Sequence, residues 1–196
     1  MQVADQKKTQ IIEAAIAEFQ DRGFVGASMD RISERANVSK RTVYNHFENK
    51  ECLFQAIAES LVDQLNAALE IPYDPNLPIR DSLIRLGWAE GELLTNPCFM
   101  RLIRMIMGEI IRDPKLAADL TSKMNKLIVF EDFMARATRE GKLKADNPKR
   151  AGEQFLGLIK AQAFLPNLFA GAVVSKDEMQ TIIEESADMI IARYGI

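Results

Sequence analysis

Two serines of the kind that cap helices stand at Ser28 and Ser39, and the stretch between them is too short for three full turns of helix. That spacing constrains this chain more than any other feature. Met29–Ala36 reads as one short helix with Met29, Ile32 and Ala36 facing inward. Asn37 and Val38 make a turn, since asparagine tolerates a left-handed backbone better than most residues. Ser39 then starts a second short helix, Lys40–Phe47. Two very short helices joined by a tight turn have the dimensions of a helix-turn-helix.

Charge sharpens that reading. The chain carries a net charge of −3, which excludes a polyanion binder acting through bulk charge. Between Arg31 and Lys50, however, five basic residues (Arg31, Arg35, Lys40, Arg41, Lys50) face two acidic ones (Glu34, Glu48). Any nucleic-acid contact is therefore expected to be local. No run of apolar residues is long enough to span a bilayer, and the polar N-terminus lacks a signal-peptide core, so a cytoplasmic protein is expected. Cys52 and Cys98 form no CxxC and are expected to be reduced thiols.

The rest of the chain also reads as helix, with no strand-like alternation. Residues 1–7 look frayed, and Ile12, Ala15, Ile16 and Phe19 then mark one face of a helix over Lys8–Arg22, closed by Gly23. A longer helix opens near Glu48–Lys50 and runs to about Glu70, with Leu53, Ile57, Leu61 and Leu65 on one stripe. Three prolines interrupt Ile71–Pro78. Further helices are expected over Ile79–Leu94, Cys98–Arg112, Pro114–Glu140, Pro148–Ala170 and Lys176–Tyr194. The penultimate one starts at Asn147 followed by proline, and the last at a capping box of Ser175 and Glu178. The expectation is an all-α chain of about nine helices. Residues 1–54 would form a three-helix DNA-binding domain, and residues 55–196 a larger helical domain for ligand binding and dimerisation.

On a helical wheel, Val43 and Phe47 share the inner face of the second short helix, while Arg41 and Asn45 lie opposite. Arginine can bridge guanine O6 and N7, and asparagine can bridge adenine N6 and N7, so this outer strip suits a major groove. Thr42 and Tyr44 flank it. Lys40, Ser28 and Lys50 each sit at the start of a helix, where backbone N–H groups favour phosphate. His46 is the only histidine and has no partner cluster. With neither HExxH nor GxSxG present, no catalytic site, metal site or cofactor is expected.

The pattern resembles the TetR family of bacterial transcriptional regulators. The resemblance is carried by Ile11–Gly23 with Phe24, by Ser28, Ile32, Ser33, Ala36, Val38, Ser39 and Lys40, and by Thr42, Val43, Tyr44, His46, Phe47, Lys50 and Leu53. It implies that Ser28, Thr42, Tyr44, His46 and Lys50 contact the DNA backbone, with Lys40, Arg41, Tyr44 and Asn45 nearest the bases. Asn37 and Arg41 stand where glycine is common in the family. Arg41 thus adds a long guanidinium to the reading face and suggests a G-containing half-site. The segment Ala151–Lys160, with Arg104–Pro114 before it, is similar to the AefR-like type of C-terminal domain.

Apolar stripes mark the last two helices. Phe155, Leu158, Ile159, Gln162 and Leu165 lie on one, and Met179, Ile182, Ile183, Ala187, Ile190 and Tyr194 on the other. Either core packing or an interface satisfies them. The resemblance implies a homodimer through helices 148–170 and 176–194. It also implies a chamber for a small apolar or amphipathic effector, for which Trp88, Phe99, Met105, Phe130, Met134 and Phe164 are candidate lining residues. Glu90, Glu92 and Glu109 stand beside apolar runs and would suit either a cationic ligand or a solvated face. The expected function is a sequence-specific DNA-binding repressor released from its operator by such an effector. The alternatives are a thiol redox-responsive regulator using Cys52 or Cys98, and a helical small-molecule-binding protein without DNA function.

Overall fold

The structure, a computed structural model, describes residues 3–68, 73–123 and 126–196. They fold as helices α1 (Val3–Gly26), α2 (Met29–Arg35), α3 (Lys40–His46), α4 (Lys50–Ala68), α5 (Ile79–Leu94), α6 (Pro97–Ile110), α7 (Pro114–Ser122), α8 (Lys126–Arg139), α9 (Pro148–Ile159), α10 (Leu165–Ala170) and α11 (Lys176–Tyr194). The only β pairing among these residues is an isolated bridge between Leu143 and Gly195.

Three expectations need correction. The first helix begins at Val3 rather than Lys8 and is kinked at Gly23, whose φ of 69° favours a residue without Cβ. Its buried face is centred on Ile11, Ala14, Ala15, Glu18 and Phe19, one position away from the expected stripe, so Ile12 and Ile16 are only half-buried. The helix expected over Pro114–Glu140 is described as two, α7 and α8. At the end of α7, Ser122 Oγ donates to the Asp119 carbonyl and the Lys123 N–H turns back to Leu120. A serine hydroxyl offering the backbone an alternative partner is a usual way for a helix to stop.

The helix expected over Pro148–Ala170 is continuous in direction but not in register. A π-helical turn over Lys160–Phe164 joins α9 to α10, with the Leu165 N–H reaching Lys160. Pro166 supplies the reason. It has no N–H to donate, and its ring crowds the carbonyl four residues back. Widening the preceding turn relieves that conflict. The end of α4 and the residues 71–72 of the proline-rich link lie outside the described residues. The other expected helix starts and stops fall within two residues of those observed.

The chain packs as two compact units. One comprises residues 1–63 and 101–123; the other comprises 64–100 and 124–196. The segment 101–123 packs with the N-terminal helices in the first of these units.

In the second unit, small residues let helices approach closely. A Cβ on Gly152 would lie 2.9 Å from the Phe130 carbonyl carbon, so α9 rests almost directly on α8. Gly87 and Gly91 do the same for α5 against Ile183 of α11. Most of the stripe on α11 is accordingly internal: Met179, Ile183, Ala187, Ile190 and Tyr194 are buried, as are Phe155 and Ile159 on α9. Polar groups at the edges hold the same layers. The Trp88 indole donates to Gln180 at 2.6 Å, Arg80 pairs with Asp188 at 2.7 Å, and Tyr194 Oη meets Gln154 at 2.5 Å.

Of the candidate effector-lining residues, Phe99, Phe130 and Met134 are buried in this unit, and Trp88 and Phe164 are half-buried. Met105 belongs to the first unit. Glu90 is buried, Glu92 pairs with Lys176 at 3.6 Å, and Glu109 pairs with Arg112 at 3.0 Å.

Candidate nucleic-acid interface

The helix-turn-helix is built on capping. Ser28 accepts the Arg31 N–H at 3.3 Å, and Ser39 accepts the Thr42 N–H at 3.1 Å. Each bond satisfies one of the orphan donors of a helix start. Between the two helices Asn37 adopts a φ of 53°, left-handed as the turn requires. Beneath them Met29, Ile32, Ala36, Val43 and Phe47 are buried together with Leu53 and Phe54 of α4. A cluster of Phe19, Phe24 and Phe54, with ring centroids 5.0–5.6 Å apart, completes this small core.

With Val43 and Phe47 turned inward, α3 presents Arg41, Tyr44 and Asn45 to solvent. Arg41 and Asn45, one turn apart, make no side-chain hydrogen bond or ion pair among the described residues. Thr42 is half-buried, its hydroxyl 2.8 Å from that of Ser39. His46 is half-buried beside the Phe47 ring.

The other cations of the motif are engaged within the chain. Arg31 reaches the buried carboxylate of Glu18 at 2.6 Å, and its guanidinium also donates to the Gly26 carbonyl. Arg35 lies 3.6 Å from Glu18 and 2.7 Å from Asp21, and Arg22 lies 3.7 Å from Glu18. Lys40 pairs with Asp30 at 2.6 Å, whose hydrogen bond and charge hold the ammonium above the usual lysine value. Lys50 donates to the carbonyls of Phe24 at 2.7 Å, Ala27 at 3.3 Å and Val25 at 3.4 Å, with its Nζ 4.5 Å from the Phe24 ring centroid. It fastens the corner between α1 and α2.

The local excess of positive charge is thus not a uniformly basic surface. Of Arg31, Arg35, Lys40, Arg41 and Lys50, Arg41 alone projects without an internal partner among the described residues. Sequence reasoning missed Glu18, Asp21 and Asp30 as the groups that organise this charge. One signal was available: Glu18 falls on the apolar face set by Ile11, Ala14 and Ala15, where burying a carboxylate is costly unless cations meet it.

Cys52 and Cys98 are both exposed and no disulfide joins them. Among the described residues no group of three metal-ligating side chains comes together, and no helix is long and apolar enough to cross a membrane.

The chain is similar to known proteins in sequence and in fold. The profile of bacterial regulatory proteins of the tetR family matches residues 11–57, and that of the C-terminal domain of AefR-like transcriptional repressors matches residues 81–196. An HTH-type transcriptional repressor of Streptomyces coelicolor is 33% identical over 102 residues, which are 52% of this chain and 48% of the relative. That match therefore spans about half the relative's length. The HTH-type transcriptional regulator UidR of Escherichia coli K12 is 30% identical over 145 residues, 73% of this chain and 70% of UidR. A crystal structure of a TetR family transcriptional regulator from Pseudomonas syringae pv. tomato superposes with a TM-score of 0.83 at 37% identity, covering 99% of this chain and all of that one.

Proposed function

The chain belongs to the TetR family of bacterial regulatory proteins, with an AefR-like C-terminal domain, and from that membership we propose that it is a dimeric repressor that reads its operator with α3. The observation that carries the reading is the pair Arg41 and Asn45. They stand one turn apart on an outward helix face, without internal partners among the described residues, and bear the two side chains best suited to guanine and adenine edges. Tyr44 joins them at the base edges, and Lys40 exchanges Asp30 for a phosphate. Ser28, Thr42 and His46 meet the DNA backbone from positions fixed by the caps.

A second copy supplies the second half-site, since a single motif of this size rarely gives enough specific affinity. Its proposed seat is the outer side of α9–α11. Leu165, Phe169 and Met189 are 46%, 83% and 52% exposed there, beside grooves of about 600 and 440 Å³. Gly157 faces the same side, and a Cβ on it would meet nothing within 4 Å. An effector held among Trp88, Phe99, Phe130, Met134 and Phe164 would release the operator by favouring a dimer whose α3 helices no longer match successive grooves. That requires only different affinities for the two arrangements.

The test is selection of genomic fragments by the purified protein. A two-fold symmetric site should emerge, with guanine and adenine at the positions facing Arg41 and Asn45. Arg41→Ala with Asn45→Ala should relax preference at those positions, each lost contact costing about 1–3 kcal/mol of discrimination. Lys50→Ala should weaken binding to every sequence alike, because it unfastens the α1–α2 corner. Unchanged selectivity in the double variant removes both residues from base reading.

A further inference from the structure

The charged residues of α11 beyond its first turn divide into two sets. Glu184 and Asp188 are turned toward α5, where both meet Arg80, at 3.7 and 2.7 Å. Glu185 and Arg193 are exposed. Glu185 makes no side-chain hydrogen bond or ion pair among the described residues, and Arg193 does no more than lie over the Tyr194 ring, 5.1 Å from its centroid.

These two stand four residues either side of Met189, itself 52% exposed. Four residues are close to one turn, so Glu185, Met189 and Arg193 share one side of the helix, with Ile182 and Ala192 beside them. Met189 and Arg193 line one of the outer grooves, and Ile182 and Glu185 line the other. Gly157 and Ala161 of α9, small residues in the first groove, leave Met189 open to an approaching helix.

This pattern is complementary to itself. A two-fold contact is isologous: if one residue meets a second on the partner, the second meets the first. Let two copies of α11 cross antiparallel with Met189 on the axis. A residue any number of places before Met189 then faces the one as many places after it, so Glu185 meets the partner's Arg193, twice over. With the helices parallel, Glu185 would face Glu185 and Arg193 would face Arg193, and both contacts would repel.

We propose that this face is covered by a second copy of the chain, seated with α11 antiparallel to α11, Met189 on the two-fold axis, and two Glu185–Arg193 pairs fixing the register. The inference rests on the dimeric reading above and supplies its geometry. Apolar surface around Leu165, Ile182 and Met189 holds the copies together. The charge pairs select antiparallel over parallel, and they oppose a slip of one turn, which would lay a charge against Met189.

The experiment is disulfide cross-linking of the full chain in a Cys52→Ser, Cys98→Ser background, with sedimentation to measure the dimer. Met189→Cys should cross-link to itself under mild oxidation. Glu185→Cys and Arg193→Cys should each fail alone, since each lies about 12 Å along the helices from its own copy, beyond the reach of a disulfide. Co-expressed, the two variants should give a cross-linked heterodimer. Charge reversal supplies a second measurement, in which recovery distinguishes a pair from a folding defect. Glu185→Arg and Arg193→Glu should each weaken the dimer about tenfold, and the chain carrying both should recover it. A dimer in which Glu185→Cys joins its own copy, or in which Glu185→Cys and Arg193→Cys do not join, overturns the register. So does a double reversal that associates no better than the single ones. These results leave the dimeric reading standing. A wild-type chain that sediments as a monomer at every concentration refutes that reading, and the register with it.

Discussion

A buried carboxylate, Glu18, decides what three arginines of the first unit are available for. It pairs with Arg22 of its own helix and draws Arg31 and Arg35 toward α1, and so ties α2 to it. Glu18→Gln should lower the melting temperature, by an amount corresponding to about 1–3 kcal/mol, because the arginines keep only a neutral partner. Thermal denaturation followed by circular dichroism measures this. Asp30 acts on Lys40 in the same sense but at the surface. Asp30→Asn should strengthen operator binding several-fold, and the gain should vanish in a Lys40→Ala background. A gain that survives Lys40→Ala would mean that Asp30 merely repels phosphate. The two substitutions separate a competition for one ammonium from a general charge effect.

At the scale of elements, the short helices depend on their caps and the long ones on close approach. Helices of seven residues such as α2 and α3 gain little from propagation, so Ser39→Ala should cost about 1 kcal/mol and reduce operator affinity together with stability. The start of α11 has both halves of a capping box, and the Ser175 N–H and hydroxyl hold the Glu178 carboxyl below its ordinary value. The cap's contribution is therefore complete above that ordinary value and is lost as pH falls through the lowered one. Protection of the first-turn amides of α11, taken relative to their intrinsic exchange rates, should fall in acid in the wild type and not in Glu178→Gln. The contact of α8 with α9 is set by one hydrogen atom. Gly152→Ala should destabilise the second unit by about 1–3 kcal/mol, because the obstructing atoms are the Phe130 and Glu131 backbone rather than a movable side chain.

For the whole molecule, the division of the last helices into inner and outer faces carries the proposed assembly. Phe155, Ile159, Met179, Ile183 and Ala187 are core, so substituting them tests folding. Phe169 and Met189 are not core, so Phe169→Glu with Met189→Glu tests association alone. The double variant should sediment as a folded monomer and lose cooperative operator binding. A folded dimer from this variant would place the interface elsewhere.

The sequence by itself determined the all-α class, the helix-turn-helix with its caps at Ser28 and Ser39, the inward set Val43, Phe47, Leu53 and Ile57, and the outward pair Arg41 and Asn45. These follow from periodicity and from local hydrogen bonds, which act within four residues of their origin. It overestimated continuity in the later helices, where Pro166 shifts the register and Ser122 supports a stop. Only the tertiary structure decided which cations are committed. Arg31 meets Glu18 across thirteen positions, and Lys50 meets Phe24 across twenty-six. It also decided that most of the α11 stripe is internal, because whether an apolar face meets its own chain or another depends on which helix fills the neighbouring space. A charge count over Arg31–Lys50 sums residues along the chain. The electric field at a groove depends on where their partners lie in space, and those partners come from α1 and α2.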